Sequence, residues 1–264
     1  MYETLEIEIE LQVSTVWMNR PAVHNAFNAR MIAELTTALQ TLGQDPGVRV
    51  IVLAGRGKCF SAGADLNSMK SAGSATFDEN LKDARLLAQM LCTLSQIHKP
   101  TLARVHGAAL GGGLGLAAAC DICIASTTAF FATSEVRFGI MPSTISPYVI
   151  RAIGARNAYR YFQTAERITA TQAREIGLAH ETASPETLDE VIRELVSALL
   201  LGSPQAQAAS KDLIRYQSTL SEALVEETAR RIATLRATEE AREGLEAFLE
   251  KRPANWVQQG INHV

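Results

Sequence analysis

The sequence predicts an α/β fold followed by a helical C-terminal region. Three observations carry this. Strand-like runs alternate with segments of helical spacing along most of the chain, the apolar run over 49–54 reads as a buried strand, and beyond about residue 184 no strand pattern remains. In order, residues 5–11 and 14–19 alternate as the two strands of a hairpin. Residues 27–42 have helical spacing, with Met31, Leu35 and Leu39 at four-residue steps and Asn28 as the cap. After strand 49–54 come a glycine turn and a small-residue loop leading into a helix. Residues 70–77, Lys-Ser-Ala-Gly-Ser-Ala-Thr-Phe, have loop composition and no period, which predicts a mobile cover. A helix over 78–97, a strand over 101–106, a helix opening at Gly111 and strands over 121–126 and 129–132 follow. Ser203-Pro204 starts a helical segment reaching about residue 218. Over 221–238, Leu224, Val225, Ile232 and Leu235 form one stripe with the Thr228 methyl between them, an amphipathic helix that needs a partner surface.

A chain of 264 residues can bury a sizeable core. Its formal charge of −3, with 20% charged residues and no basic run, argues against nucleic acid or an anionic membrane as the main partner. The longest apolar stretch, 107–120, is glycine-rich and too short to span a bilayer, and Met1-Tyr2-Glu3 does not open a secretory signal. A cytoplasmic protein is the expectation. Cys59, Cys92, Cys120 and Cys123 are too few and too scattered for a disulfide framework.

Two segments carry chemistry. Gly111, Gly112 and Gly113 follow a short apolar run and open an Ala/Leu-rich helix, presenting bare backbone N–H groups where negative charge is stabilised. Ala62, Gly63 and Ala64 let a ligand approach the backbone closely, so the Ala64 N–H is a second candidate donor. Glu135 is a lone carboxylate in a mostly apolar stretch closed by Gly139 and Pro142. An oxyanion site beside one isolated acid points to proton transfer next to a carbonyl. The bland alternative for Glu135 is a surface carboxylate on a strand end.

Rival motifs are weaker. Gly113-Leu114-Gly115-Leu116-Ala117-Ala118 fits a dinucleotide fingerprint, but the next strand ends in Ser126-Thr127-Thr128 with no acid to hold a ribose. Gly55-Arg56-Gly57-Lys58 lacks the spacing of a phosphate loop. Cys120 and Cys123 have no second pair and no His cluster, so small buried thiols are expected and no metal. Ser61 lacks the first glycine of a nucleophile elbow. His24 and His106 read as structural residues, with His106 a possible support of the Gly111 loop.

The segments 48–69, 104–126 and 134–142, with Asn19-Arg20-Pro21-Ala22-Val23-His24-Asn25-Ala26 near the start and Glu246 to Arg252 near the end, resemble the crotonase (enoyl-CoA hydratase/isomerase) superfamily. That resemblance implies a spiral of ββα units in two roughly perpendicular sheets, a core over 1–195, and a helical trimerisation region over 196–264. It implies an acyl-CoA substrate, no separate cofactor, and a homotrimer or dimer of trimers. Ala64 and Gly112 match the two oxyanion-hole residues and Glu135 a catalytic glutamate. Ala22, Val23, His24, Ala62, Ala64, Asp65, Leu66, Asn67 and Gly112 match substrate-binding positions, and Phe248 and Lys251 match positions that reach the CoA of an adjacent subunit, three apart on one helix face.

The first catalytic glutamate of two-glutamate hydratases corresponds to Gly115. A single base also suffices for Δ3,Δ2-enoyl-CoA isomerisation, so the chemistry leaves hydratase and isomerase open, beside a non-catalytic scaffold or RNA-binding relative. Gly112 to Leu116, Ser134 to Gly139, Pro142 to Gly154 and Tyr161 to Arg167 resemble the bacterial methylglutaconyl-CoA and isohexenylglutaconyl-CoA hydratase branch, with Ile145-Ser146-Pro147 as its marker. Such substrates carry an extra carboxylate, for which Arg137 and Arg151 are the candidate cations.

Overall fold

The computed structural model describes residues 2–217, 222–252 and 254. Strands β1 (Leu5–Glu10) and β2 (Val13–Met18) form the expected hairpin. Leu11 and Gln12 join them with φ of +46° and +69°, the mirror-image turn whose twist suits a two-residue connection. β3 (Val50–Gly55), β4 (Thr101–Val105), β6 (Ile122–Ser126) and β9 (Glu181–Ala183) extend the sheet in parallel, in the order β1-β2-β3-β4-β6-β9. A second sheet has the order β5-β7-β8, from Ala108–Leu110, Phe130–Ala132 and Ile168–Thr169.

Parallel strands buried on both faces read as continuous apolar runs, and β3 is buried at every residue. Period-two alternation sorts its side chains. Ile51 and Leu53 join a core built with helices α1 (Ala29–Gln44), α3 (Phe77–Gln96) and α4 (Gly112–Ala119), whereas Val50 and Val52 face Leu188, Ile192 and Val196 of α7 (Leu188–Leu201). The expected cap of α1 is present: Asn28 accepts a 2.9 Å bond from the Met31 N–H, and Met31, Leu35 and Leu39 are buried. From β4 onward the chain repeats a unit. β4 enters the large sheet, β5 the small one, and α4 returns; β6 and β7 repeat this before α5 (Ser146–Thr164). β5 has no signature in the sequence, since three residues are too few to display a period.

Two expectations change. Residues 66–74 are helical (α2, Leu66–Ser74), started by the Asp65 carboxylate, which accepts from the Asn67 N–H at 2.9 Å; the loop expected over 70–77 is thus mostly the end of a helix. Only the short link to the Thr76–Glu79 capping box of α3 is irregular. The boundary expected near residue 195 falls inside α7, which covers the large sheet. α5 also breaks at Gly154, whose φ of +73° with ψ of 157° suits only glycine.

Helix α6 spans Ala170–Glu175, and beyond Gly202 follow α8 (Pro204–Gln217), α9 (Glu222–Arg236) and α10 (Glu239–Leu249). The amphipathic stripe on α9 has its partner within this chain. Ile232, Ala229 and Ala233 pack on Leu81, Ala84 and Ala88 of α3, where the alanines permit close approach. Leu235 of that stripe lies outside the residues whose side chains are described. Among the described residues no helix is long and apolar enough to cross a membrane.

Candidate active site

Two loops are tied together before any ligand arrives. Asn25, buried and at φ +55°, accepts from the Arg20 N–H at 2.9 Å, and its amide donates toward the carbonyls of Arg56, Cys59 and Phe60. Arg20 pairs with Asp65 at 3.0 Å, linking the first loop to the start of α2. Between these anchors Phe27 and Ala64 form a parallel bridge: the Phe27 N–H donates to Gly63 O and the Asp65 N–H to Phe27 O. Such a bridge uses the groups on either side of Ala64 and directs the Ala64 N–H the other way. Among the described residues that N–H has no acceptor, and Ala64 lines a cavity of about 790 Å³.

A second free donor comes from α4. The Gly111 N–H is taken by Ala132 O at 2.9 Å, so the first open N–H at the helix start is that of Gly112. Packing explains the glycine run. A Cβ on Gly112 would lie 2.7 Å from the Phe27 ring, and one on Gly113 2.7 Å from Ser61 O. The loop bearing Ala64 lies against the same place, because a Cβ on Gly63 would be 2.6 Å from Leu110 O and 3.6 Å from Gly112 N. Two N–H groups without an acceptor among the described residues thus lie at one wall of the cavity.

Glu135 opens a 3₁₀ turn (Glu135–Phe138) that closes at Gly139, φ +70°. It is not on a strand, and although the residue is only half-buried its carboxylate points inward: its Oε1 lies 3.2 Å from where a Gly111 Cβ would stand, and its Oε2 is buried with no hydrogen-bond partner among the described residues. Burial raises its pKa to about 7, against the opposing pull of its own backbone N–H and the Arg236 charge. A carboxylate poised near neutrality beside two open donors can move a proton while a neighbouring oxygen gains charge.

No second carboxylate has room at Gly115. A Cβ there would lie 2.3 Å from Ile145 Cγ2 and 2.8 Å from Ile145 Cβ, and Ile145 is itself buried. The Ile145-Ser146-Pro147 marker and the missing glutamate are therefore one feature: the isoleucine occupies the space a side chain at Gly115 would need.

The structure brings most of the expected residues together. Ala22, Val23 and His24 line the cavity from the first loop, Ala62 and Ala64 to Asn67 from the second, with Gly112 and Glu135 beyond. Phe248 also lines this cavity, its ring 4.7 Å from that of Phe138 in an edge-to-face pair. The helix face expected to be shared by Phe248 and Lys251 is absent. α10 ends at Leu249 and Lys251 has φ +56°, so it does not share a helix face with Phe248 and does not line the cavity. Arg137 and Arg151 are exposed and outside the cavity; Arg151 sits over the Tyr148 ring at 5.9 Å.

His106 donates from Nε2 to Gly57 O at 3.0 Å, and so supports the 56–60 turn instead of the Gly111 loop. Cys120 and Cys123 are buried with their thiols pushed up by desolvation, Cys123 to about 12. Among the described residues no cluster of His, Cys, Asp or Glu is arranged for a metal. The cavity cation that sequence reasoning missed is Arg236, which carries no spacing signal because only the docking of α9 brings it inward.

Known proteins resemble this chain in sequence and fold. The sequence pattern of the enoyl-CoA hydratase/isomerase family matches residues 8–259. The 2,3-dehydroadipyl-CoA hydratase of Escherichia coli is 34% identical over 94% of this chain and 96% of its own. The crotonyl-CoA hydratase of Syntrophomonas wolfei is 32% identical over 97% and 98%. A crystal structure of an enoyl-CoA hydratase/isomerase (crotonase) type protein from Legionella pneumophila superposes with a TM-score of 0.79 at 45% identity, covering 96% of this chain and 99% of that one. The chain belongs to the enoyl-CoA hydratase/isomerase family of the crotonase superfamily and is a hydro-lyase of the enoyl-CoA hydratase type, built on the crotonase fold.

Proposed function

We propose that this enzyme adds water to the α,β double bond of an acyl-CoA carrying a distal carboxylate, with 3-methylglutaconyl-CoA or isohexenylglutaconyl-CoA as substrate. The observation that carries the mechanism is the meeting of one buried carboxylate, Glu135, with the unpaired N–H groups of Ala64 and Gly112 at one cavity. The thioester oxygen sits between the two donors. Ionised Glu135 takes a proton from water as the water oxygen bonds to C3, and the π electrons move through C2 onto the thioester oxygen. Both N–H bonds strengthen as that oxygen becomes an enolate, worth about 3 to 4 kcal/mol per donor. Glu135 then returns its proton to C2, so H and OH have added across the bond and the carboxylate is regenerated.

The Ser143–Pro147 stretch supports this acyl chain, as does the relative named for a dehydroadipyl-CoA, itself a dicarboxylic acyl group. The crotonyl-CoA hydratase relative acts on a neutral chain, so the test is direct. A paired distal carboxylate gains about 1.5 to 3 kcal/mol of charge-assisted bonding, and kcat/KM for 3-methylglutaconyl-CoA should exceed that for crotonyl-CoA at least about tenfold. Faster turnover of crotonyl-CoA removes the dicarboxylic assignment and leaves the hydratase. With no room at Gly115, and with Asp65 and Asp83 paired to Arg20 and Arg236, Glu135 is the one unpaired acid among the described residues lining the cavity, which also suits a Δ3,Δ2 shift; a 3-enoyl-CoA isomerised faster than a 2-enoyl-CoA is hydrated would favour that reading.

The assembly we propose is a homotrimer or a dimer of trimers. Leu201 at 90% and Leu213 at 61% exposure leave apolar surface on the C-terminal side that a second copy would cover. Sedimentation velocity on the full chain should give a trimer or hexamer; a fully active monomer would exclude it.

A further inference from the structure

We infer that Arg236 is the specificity residue that receives the far carboxylate of the acyl chain, with Asp83 as the positioning residue that holds its guanidinium toward the cavity. This rests on the dicarboxylic reading proposed above. Arg236 is the last residue of α9 and lines the same cavity as Glu135. Its side chain is largely buried, 16% exposed, in a cavity whose apolar lining includes Ala84, Leu87, Ile140 and Ile232.

The hydrogen bonding is incomplete in a telling way. A guanidinium has five N–H donors. Among the described residues the only partner of this one is Asp83, through a single long contact of 3.4 Å. Asp83 is itself half exposed. A pair needed only for stability could form at the surface; here the arginine is instead desolvated inside an apolar wall with donors to spare, which a planar carboxylate would satisfy in the bidentate manner.

Position agrees with substrate geometry. In a glutaconyl thioester the distal carboxyl carbon is two bonds beyond C3, so its receptor must share a cavity with the group that works at C2 and C3. Arg236 does, and its charge is felt at Glu135; Arg137 and Arg151 do not. The segment that marks the glutaconyl-type branch also sets α9 in place. Ser143 Oγ donates to Thr228 O at 2.6 Å and Ser146 Oγ to Ser143 O at 2.7 Å, so this stretch bonds to the helix that delivers the arginine.

The test compares kcat/KM for 3-methylglutaconyl-CoA with that for 3-methylcrotonyl-CoA, which lacks only the distal carboxylate, in the full-length enzyme and in Arg236→Gln, Arg236→Lys and the double variant Asp83→Asn/Arg236→Gln. The double variant removes both charges, so no carboxylate is left unpaired if the single change disturbs folding. Inhibition by glutaryl-CoA and valeryl-CoA, saturated chains of equal length, gives a readout independent of turnover. The expected result is a wild-type preference for the dicarboxylic member of each pair that falls at least about tenfold in both Gln variants and returns in part in Arg236→Lys. A wild-type preference that survives unchanged in the Gln variants overturns the role of Arg236 while leaving the dicarboxylic reading intact. A wild-type enzyme that prefers the neutral chains overturns both.

Discussion

Glu135→Gln is expected to lower hydration turnover by at least about 10²-fold, the usual loss for a general acid/base, while acyl-CoA binding is largely kept. The same change should stabilise the protein at neutral and higher pH. Burial raises the Glu135 pKa from 4.5 to about 7, so below pH 4.5 both folded and unfolded chains carry the proton and nothing is lost. Between those values the unfolded chain ionises first, and stability falls as pH rises through the folded pKa, by up to about 3 kcal/mol. Glutamine has no such penalty. Thermal melts at pH 5 and pH 8 should therefore show a wild-type loss that the variant lacks. In the active enzyme the base must be ionised, so kcat/KM for hydration should rise with pH through about 7 and level off above it. Near-normal turnover by a folded Glu135→Gln enzyme would refute the assignment.

Gly115→Ala should destabilise the fold even though alanine favours a helix by about 1 kcal/mol. The added Cβ would stand 2.3 Å from Ile145 Cγ2, and Ile145, 1% exposed, has nowhere to go. Overpacking of this kind costs about 1 to 3 kcal/mol and outweighs the helix gain. Ile145→Ala alone should cost about 2 to 5 kcal/mol by leaving a cavity. Together the two should cost less than their sum, because each relieves the other. Urea unfolding midpoints measure all three variants, and strict additivity would mean that Ile145 does not fill the space at Gly115. Gly115→Glu, which restores the residue of two-glutamate hydratases, should lose more stability than Gly115→Ala and gain no activity, since its carboxylate would be forced into the packed core.

Much of the site was readable because each part is a short local motif. The glycine run at 111–113 announces open donors at a helix start, the small residues 62–64 announce close approach, and Glu135 stands alone among apolar neighbours. The period of α1 and the continuous apolar run of β3 were equally plain, since 3.6- and 2-residue spacing records burial directly. Three-residue strands such as β5 were invisible, and the length of α2 was hidden because residues 70–74 have loop composition and no period.

By itself the sequence determined the alternating α/β core, the two backbone donors and the acid, all of them written in contiguous residues. The tertiary structure alone decided what distant segments do to one another. Ile145 occupies the place at Gly115, the 3₁₀ turn carries the Glu135 carboxylate into the interior where desolvation lifts its pKa, α10 brings Phe248 to the cavity, and α9 docks on α3 to bring in Arg236. Those outcomes depend on packing between residues from tens to 153 positions apart, and no local spacing encodes them.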